Sequence, residues 1–300
     1  MNVKLHKYSG AGNDFIVADG REKVACALCT ARTLSDDAEL FALRSADRIR
    51  SLCDRNNGFK AGDGSIGADG VMILCDSARY DFRMEFFNPD GTDGMMCGNG
   101  GRCIAAFAEF LGISPADGET YRFEAADGLH TARILSRDGD QCTVRLGMCD
   151  PGGIASVEID GTEGCFLNTG TRHFVTFVNN VDDLDVAGAG ARIRHSAEFA
   201  PEGTNVNFVE RLEDGSLKIR TFEKGVEAET LACGTGCVAA AVAALLHGES
   251  ADALPGGRLG FRLHTRTAEL SVDFKPGSPA SDVFLTGPAE KKDGNDILVD

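Results

Sequence analysis

Short apolar stretches separated by turn residues recur along almost the whole chain. Residues 3–8 alternate apolar and polar side chains, which is typical of a strand with one exposed face. Residues 71–74 form a continuous apolar run, which indicates a strand buried on both faces. The same two patterns predict further strands at 15–18, 83–87, 121–124, 131–135, 142–146, 174–177, 205–209, 218–222, 269–274, 282–286 and 297–299. We therefore expect a chain built mostly of short strands.

Two stretches have the spacing of amphipathic helices instead. Residues 36–53 place leucines on one face, and Ser35 or Asp36 is the expected N-cap. Residues 104–111 place apolar side chains at i, i+3, i+4 and i+7, and Gly112 is expected to end that helix.

A third predicted helix, at residues 236–246, has almost no polar face. Such a helix must be buried on every side, and strands wrapped around it would achieve this. Near residues 127–130 the first helical region gives way to a fresh series of strands, so one unit is expected to end there. The chain is predicted to be an α+β protein with two similar halves, each a strand-rich sheet or barrel around one central apolar helix.

One short motif opens the central helix of both halves. It is Cys-Gly-Asn-Gly at residues 97–100 and Cys-Gly-Thr-Gly at residues 233–236. The glycines allow close approach of a ligand to the backbone. The first N–H groups of a helix lack intrahelical acceptors and can hold a carboxylate. The helix dipole is expected to lower the pKa of the thiols of Cys97 and Cys233, which makes a thiolate available near neutral pH.

Two such thiols suit the inversion of an α-carbon, if the two halves face each other across a cleft. One cysteine, as thiolate, would remove the α-proton from one face of an amino acid. The other, as neutral thiol, would return a proton to the opposite face, and the roles would exchange in the reverse direction. The helix N-termini would stabilise the charge that develops on the bound carboxylate. We therefore predict an epimerase or racemase that needs no pyridoxal phosphate and no other cofactor.

Composition limits the possible partners. The net charge of −16 argues against a nucleic-acid partner, which favours a basic face. The N-terminal residues lack the apolar core of a signal peptide, and no run approaches the roughly 18 apolar residues of a membrane span. These features predict a cytoplasmic protein with a small-molecule substrate and no membrane partner, and we hold a homodimer as an open expectation.

A second class of function remains open because the chain has 11 cysteines. The protein could be a non-catalytic cysteine protein that binds zinc or senses redox state. Cys26 and Cys29 form one C-x-x-C pair, but no second pair follows, so we predict no metal site. An odd number of cysteines without a framework is typical of reduced thiols in the cytosol.

The chain also resembles the diaminopimelate epimerase family, through motifs that span nearly its whole length in the family's order. The motifs are Gly-Asn-Asp-Phe at 12–15, Asn-x-Asp-Gly through Met-Cys-Gly-Asn-Gly-x-Arg-Cys at 88–103, Asn-Val-Asn-Phe at 205–208, Glu-x-Gly through Ala-Cys-Gly-Thr-Gly at 223–236, and Thr-Gly-Pro-Ala at 286–289. The resemblance implies interconversion of LL- and meso-diaminopimelate, in lysine and peptidoglycan-precursor synthesis. It also implies two pseudo-symmetric domains, 1–127 with 289–300 carrying Cys97, and 128–288 carrying Cys233.

The resemblance further implies the roles of individual residues. Cys97 and Cys233 would be the catalytic acid/base pair, and His173 and Glu223 would adjust their pKa values. The two residues after each cysteine would hold the reacting carboxylate through backbone N–H groups. The implied substrate-binding residues are Asn13, Asn88, Gly98, Asn99, Asn205, Glu223, Lys224, Gly234 and Thr235.

Two departures from the family pattern keep the substrate open. Lys224 stands where many members have an arginine, and a lysine grips a distal carboxylate with less geometric selectivity. Thr171 stands where the family usually has an asparagine, and Arg172 is a candidate replacement for the missing guanidinium. The alternative is therefore a racemase of another amino acid, such as histidine, with the same two-thiol mechanism.

Overall fold

A computed structural model of the chain describes residues 4–21, 42–292 and 297–298. The chain divides into two units, Met1–Val144 with Pro288–Asp300, and Arg145–Gly287. The boundary expected from the sequence, between 127 and 128, lies earlier in the chain, at a hairpin turn inside the first unit. The assignment of the units as two epimerase halves stays a prediction.

The first unit is a sheet of short strands in which antiparallel and parallel pairings alternate. β1 and β2 are antiparallel, β2 and β3 parallel, β3 and β4 antiparallel, β4 and β5 parallel, and β5 and β6 antiparallel. The last strands of the chain return to this unit, because both β17 and β18 pair with β1. The strands are β1 (Lys4–Gly10), β2 (Asn13–Asp19), β3 (Val71–Cys75), β4 (Phe82–Phe87), β5 (Tyr121–Ala125), β6 (Gly128–Asp138) and β18 (Ile297–Leu298), with β7 (Gln141–Gly147) and β17 (Ser281–Lys291) crossing the unit boundaries.

Besides the helical residues 42–43, the described part of the first unit contains two α-helices. Helix α1 (Ala46–Cys53) begins at Ser45, whose Oγ accepts the Arg48 N–H at 3.4 Å. Helix α2 (Gly98–Phe110) packs against β1, β2, β3 and β6, and its residues from Gly98 to Ala108 are buried. The apolar face predicted for residues 104–111 is therefore part of a helix that is buried on all sides over most of its length.

The second unit contains nine complete strands and two further α-helices among the described residues. From β9 to β16, antiparallel and parallel pairings again alternate. The pair β9–β10 is antiparallel, β10–β11 parallel, β11–β12 antiparallel, β12–β15 parallel and β15–β16 antiparallel. The elements are β8 (Gly152–Ile159), β9 (Thr162–Asn168), β10 (Arg172–Phe177), α3 (Val186–Arg194), β11 (Asn205–Arg211), β12 (Leu217–Glu223), β13 (Ala228–Thr230), α4 (Gly234–Leu246), β14 (Asp252–Leu254), β15 (Arg258–His264) and β16 (Glu269–Lys275).

The two units repeat one order of elements. In each, a hairpin is followed by a peripheral helix, a parallel neighbour, an antiparallel strand and then a central helix headed by cysteine. Helix α4 packs against β9, β10, β11, β12, β15 and β16, and only one residue of its first eleven is not buried. The predicted α+β fold, with a strand-rich sheet around a central apolar helix in each half, is confirmed.

Some predicted elements differ from the observed ones. The helix start predicted at residue 36 lies outside the described residues, whereas residues 42–43 are helical and a separate helix begins at Ala46, where Ser45 caps it. The predicted caps Ser35 and Asp36 and the pair Cys26 and Cys29 lie outside the described residues.

Helix α3 and the strands β8, β9, β13, β14 and β15 were not predicted. Glycine disfavours a helix, which hid α3 in the sequence. The structure needs one of its glycines for packing, because a Cβ on Gly190 would lie 2.4 Å from the Cβ of Phe222.

Candidate active site

Cys97 occupies the N-cap of α2, directly before the first helical residue, Gly98. Its Sγ accepts a hydrogen bond from the Gly100 N–H at 3.2 Å, and its carbonyl accepts one from the Gly101 N–H at 2.8 Å. The side chain is half-buried. A sulfur that accepts an N–H bond at the positive end of a helix is well placed to carry negative charge.

A chain of hydrogen bonds, each with a defined donor, holds the side chain of Asn99 in place. The buried guanidinium of Arg102 donates to Asn99 Oδ1 at 2.7 Å, and Asn99 Nδ2 donates to Asn13 Oδ1 at 2.5 Å. Asn13 Nδ2 in turn donates to Asp69 Oδ2 at 3.1 Å. The structure thus brings together two predicted substrate-binding residues, Asn13 and Asn99, and fixes the orientation of both amides.

An ionic cluster fixes the hairpin that carries Asn13. Asp69 accepts the backbone N–H of Asp14 at 3.0 Å and pairs with the guanidinium of Arg55. The side chain of Lys7 is fully buried and its ammonium lies 3.1 Å from the Asp14 carboxylate. Burying an ammonium is costly unless it is paired, so this cluster resists rearrangement.

Asn88 lies in the turn that leads from β4 towards Cys97. Its Nδ2 donates to Thr92 Oγ1 at 3.0 Å and to the Asp93 carbonyl at 3.1 Å, so the side chain stabilises this turn. A role in substrate binding stays a prediction.

Cys233 occupies the same N-cap position on α4, but its surroundings differ. The side chain is buried, with 8% of the residue exposed, and its Sγ lies 3.5 Å from Thr235 Oγ1. Burial raises the pKa of the Cys233 thiol well above its ordinary value, and the nearby Glu223 carboxylate raises it further. The Thr235 hydroxyl and the Gly236 N–H act in the opposite direction. The lowered pKa expected at this helix start is therefore wrong for Cys233, because burial outweighs the helix terminus.

His173 lies fully buried on β10 beside this cysteine turn, where the structure connects it to Thr235. His173 Nε2 lies 3.0 Å from Thr235 Oγ1, and His173 Nδ1 lies 3.0 Å from Asn207 Nδ2. Burial lowers the pKa of His173 to about 3, so its imidazole is neutral. His173 therefore affects Cys233 through Thr235 and not through a positive charge.

Glu223 lies at the end of β12 and shares hydrogen bonds with two side chains. Its Oε1 accepts the Thr230 hydroxyl at 2.5 Å, and the carboxylate also accepts a hydrogen bond from the Cys233 thiol. Burial raises the pKa of Glu223, and both hydrogen bonds oppose that rise. The carboxylate therefore holds the thiol hydrogen of Cys233 in a hydrogen bond.

Asn205 forms hydrogen bonds with the backbone of two other residues singled out in the sequence, Arg172 and Lys224. Its Nδ2 donates to the Arg172 carbonyl at 2.9 Å, and its Oδ1 accepts the Lys224 N–H at 2.9 Å. Thr171 lies close by, with its Oγ1 3.4 Å from Asn205 Nδ2. The Arg172 guanidinium instead pairs with Glu202 at 2.8 Å, so it is already engaged by a carboxylate of the protein.

The sequence analysis missed two residues that organise these groups. Asp69 orients Asn13 from 56 positions away, and no local pattern marks it. Asn207 had a signal, because Asn205 and Asn207 point to one face of β11 in an otherwise apolar strand. Polar side chains buried on one face of a strand indicate a hydrogen-bonded network.

The remaining thiols give no support to a metal site. The nine cysteines among the described residues are present as thiols, and Cys103 and Cys237, inside the two central helices, are fully buried. No group of three or more His, Cys, Asp or Glu side chains in the described part of the chain is arranged to hold a metal ion. None of the described helices combines the length and apolar character that crossing a bilayer requires.

Comparison with known proteins gives one consistent family. The sequence profile of the family described as diaminopimelate epimerase matches residues 5–150 and 165–289. The diaminopimelate epimerase of Chlorobaculum tepidum is 41% identical over 94% of this chain and 96% of its own length. The diaminopimelate epimerase of Aquifex aeolicus is 37% identical over 96% of this chain and 95% of its own.

Solved structures share the fold at much lower identity. A hydroxyproline epimerase from Agrobacterium vitis with bound trans-4-hydroxy-L-proline is 18% identical, with a TM-score of 0.63 over 99% of this chain and 91% of that one. A PhzF-family phenazine biosynthesis protein from Bacillus anthracis is 12% identical, with a TM-score of 0.66 over 99% of both chains. At these identities the likeness concerns the fold alone.

Proposed function

Because this chain belongs to the diaminopimelate epimerase family, we propose that it interconverts LL-2,6-diaminopimelate and meso-diaminopimelate. The observation that carries the proposal is the match of the family profile across both halves of the chain, each of which contains a cysteine at the N-cap of a buried helix. The reaction serves lysine and peptidoglycan-precursor synthesis, and it uses side chains of the protein without a cofactor.

In the proposed reaction the carboxylate beside the reacting carbon binds to the first N–H groups of the two central helices. The residues that supply them are Gly98, Asn99, Gly234 and Thr235. One sulfur removes the α-proton and the other returns a proton to the opposite face of the carbon. The negative charge that passes to the carboxylate strengthens its bonds to these N–H groups in the transition state.

The surroundings of the two sulfurs support different resting states. Cys233 is buried, and its raised pKa and its hydrogen bond to Glu223 keep it protonated, so it is the proton donor in the first direction. Cys97 is half-buried and its sulfur accepts an N–H bond, so it is the proton acceptor. After one turnover Cys97 is the thiol and Cys233 is the thiolate, so the same two groups can catalyse the reverse direction.

The remaining contacts of the proposal are to the amino groups and the distal carboxylate of the substrate. Asn13, Asn88, Asn205, Glu223 and Lys224 supply them in this proposal. The support is that Asn205 is held by the turn at 171–172 and by the Lys224 N–H, so the family's contact positions are neighbours within the second unit. Lys224 offers a single charge to the distal carboxylate, which predicts a weaker grip than an arginine gives.

A substrate panel in deuterated solvent tests the proposal. The purified protein, without added pyridoxal phosphate, is incubated with LL-diaminopimelate and, separately, with histidine and other monocarboxylic amino acids. We expect deuterium at the α-carbon of diaminopimelate and the appearance of the meso isomer. Exchange with histidine but not with diaminopimelate would replace this proposal with the racemase alternative, which the named relatives do not favour.

The cellular setting forms a separate part of the proposal. Two working thiols require a reducing compartment, which supports a cytoplasmic location.

We also propose that the enzyme is a homodimer, and sedimentation of the purified protein across a range of concentrations tests this. A monomer at all concentrations would remove the dimer from the proposal and leave the chemistry unchanged.

A further inference from the structure

Asn207, His173 and Thr235 form a line of contacts that ends at the sulfur of Cys233. Asn207 Nδ2 lies 3.0 Å from His173 Nδ1, His173 Nε2 lies 3.0 Å from Thr235 Oγ1, and Thr235 Oγ1 lies 3.5 Å from Cys233 Sγ. Asn207 and His173 are fully buried, so water does not compete for these bonds. The donor and the acceptor of each bond can then be assigned in order, starting from the Asn207 amide.

The amide of Asn207 has only one acceptable orientation. Its nitrogen lies 3.1 Å from the Phe174 carbonyl, which can only accept a hydrogen bond. Its oxygen accepts the Thr221 hydroxyl at 3.0 Å. The second hydrogen of the amide nitrogen therefore points at His173 Nδ1, and that ring nitrogen must be unprotonated to accept it.

The histidine then has only one tautomer. A neutral imidazole carries one proton, and because Nδ1 accepts from Asn207, Nε2 carries it. Nε2 donates to Thr235 Oγ1 and cannot accept from it. The hydroxyl hydrogen of Thr235 is thus left for the sulfur of Cys233.

We propose that Asn207 is a positioning residue, which fixes the tautomer of His173 so that the Thr235 hydroxyl donates a hydrogen bond to the Cys233 thiolate. This rests on the proposed function and deepens it. When Cys233 gives its proton to the substrate carbon, the buried sulfur is left with a negative charge. The Thr235 hydroxyl then stabilises that charge at the moment it forms.

The packing around Asn207 supports a fixed position. A Cβ on Gly236, the second glycine of the cysteine turn, would lie 2.4 Å from Asn207 Oδ1. The helix start and the amide are therefore in direct contact. The other titratable groups near the sulfur are Glu223 from β12 and Cys237 from α4. The Asn207 amide bonds instead to Phe174 and Thr221, and the His173 ring contacts Asn207 and Thr235.

Asn207→Asp reverses the direction of the chain. The added carboxylate oxygen only accepts, so it draws a proton onto His173 Nδ1. A neutral imidazole then exposes Nε2 as an acceptor, and the Thr235 hydroxyl turns towards it and away from the sulfur. We expect kcat to fall by about 10- to 100-fold, the loss of one hydrogen bond to a charged group, with little change in KM.

A double-mutant cycle with Thr235→Val tests whether the two residues act as one unit. Valine keeps the shape and the backbone N–H and removes only the hydroxyl. We expect a loss similar to that of Asn207→Asp, no further loss in the double variant, and recovery of most activity in Thr235→Ser. Asn180→Asp, the same change at an exposed residue, is the matched control and should retain the activity of the parent. Additive losses would overturn the proposal.

Nitrogen NMR of the full-length protein gives a readout that does not depend on activity. The imidazole signals of His173, assigned by their loss in His173→Gln, should show a proton on Nε2 in the parent protein and on Nδ1 in Asn207→Asp. A proton on Nδ1 in the parent would overturn the inference even if the enzyme is active. The Nε2 tautomer in a protein that epimerises no amino acid would instead contradict the proposed function alone.

Discussion

The two cysteine turns share a sequence motif and an N-cap position, yet they place the sulfur in different surroundings. Cys97 is half-buried and caps its own helix through the Gly100 N–H. Cys233 is buried, and Thr235, Gly236 and Glu223 surround its sulfur. Both helices offer the same positive end, so the helix terminus does not explain the difference. The state of each thiol depends on burial and on the side chains that neighbouring strands bring to it.

The residue between the two glycines shows how this difference is built. In the first turn it is Asn99, which takes part in a chain of hydrogen bonds from Arg102 to Asn13 and Asp69. In the second turn it is Thr235, whose hydroxyl lies between His173 and the sulfur. One position of the motif thus joins an amide network in one unit and lies beside the thiol in the other.

The largest expected effect comes from removing either sulfur. Cys97→Ser and Cys233→Ser should each lower the epimerisation rate by about 10³-fold, because a serine hydroxyl neither loses nor gives a proton at the required rate near neutral pH. Chiral separation of the product after single-time-point and long incubations measures it. Full activity in either single variant would end the two-thiol mechanism, whatever the state of the other cysteine.

Glu223→Gln should have the next largest effect. The variant removes the carboxylate that accepts a hydrogen bond from the Cys233 thiol, and we expect about a 10²-fold loss of kcat. Because the ionised carboxylate is the form that accepts this hydrogen bond, activity of the parent should fall as pH falls through the raised pKa of Glu223. The variant should lack this acidic limb. Glu227→Gln, on the exposed turn after β12, is the control. An acidic limb of unchanged position in Glu223→Gln would assign it to another group.

The second glycines of the two turns provide a stability comparison. A Cβ on Gly236 would lie 2.4 Å from Asn207 Oδ1, whereas a Cβ on Gly100 would lie 3.3 Å from Cys97 Sγ and 3.4 Å from Met72 Sδ. We expect Gly236→Ala to lower the free energy of unfolding by about 2 kcal/mol through overpacking. Gly100→Ala should be close to neutral, because alanine also favours the helix. Urea denaturation measures both, and equal losses would contradict this difference between the turns.

The parts of the molecule predicted from the sequence are those encoded locally. The buried central helices follow from apolar runs without a polar face, and the sites at their N-termini follow from a cysteine before Gly-x-Gly. The family motifs located Asn13, Asn205 and Glu223, but their partners are distant in sequence. Asp69 orients Asn13 across a parallel strand pair, and nothing near residue 69 indicates it.

The state of Cys233 could not be predicted for the same reason. The motif supplies the helix terminus, which favours a thiolate, but burial comes from packing of the whole unit and Glu223 comes from another strand. Helix α3 was missed because its glycines weaken the helical signal, while one of them, Gly190, is required where the helix approaches Phe222. Local patterns therefore predict the position of the candidate site, and tertiary packing determines the surroundings of each group in it.

Alkylation kinetics of the two thiols give the smallest expected effect and the most direct comparison. Iodoacetamide reacts with thiolates, so its rate follows both exposure and the fraction ionised. At pH 7 we expect Cys97 to be modified at least about tenfold faster than Cys233, because Cys233 is buried and its raised pKa keeps it protonated. Between pH 7 and 9 the rate at Cys233 should keep rising about tenfold per pH unit, since this range lies below its pKa. Peptide mapping by mass spectrometry separates the two sites, and Cys149 reports the behaviour of an exposed thiol in the same sample. Equal rates at Cys97 and Cys233, with the same pH dependence, would mean that the helix termini dominate both thiols and that the surroundings of Cys233 contribute little.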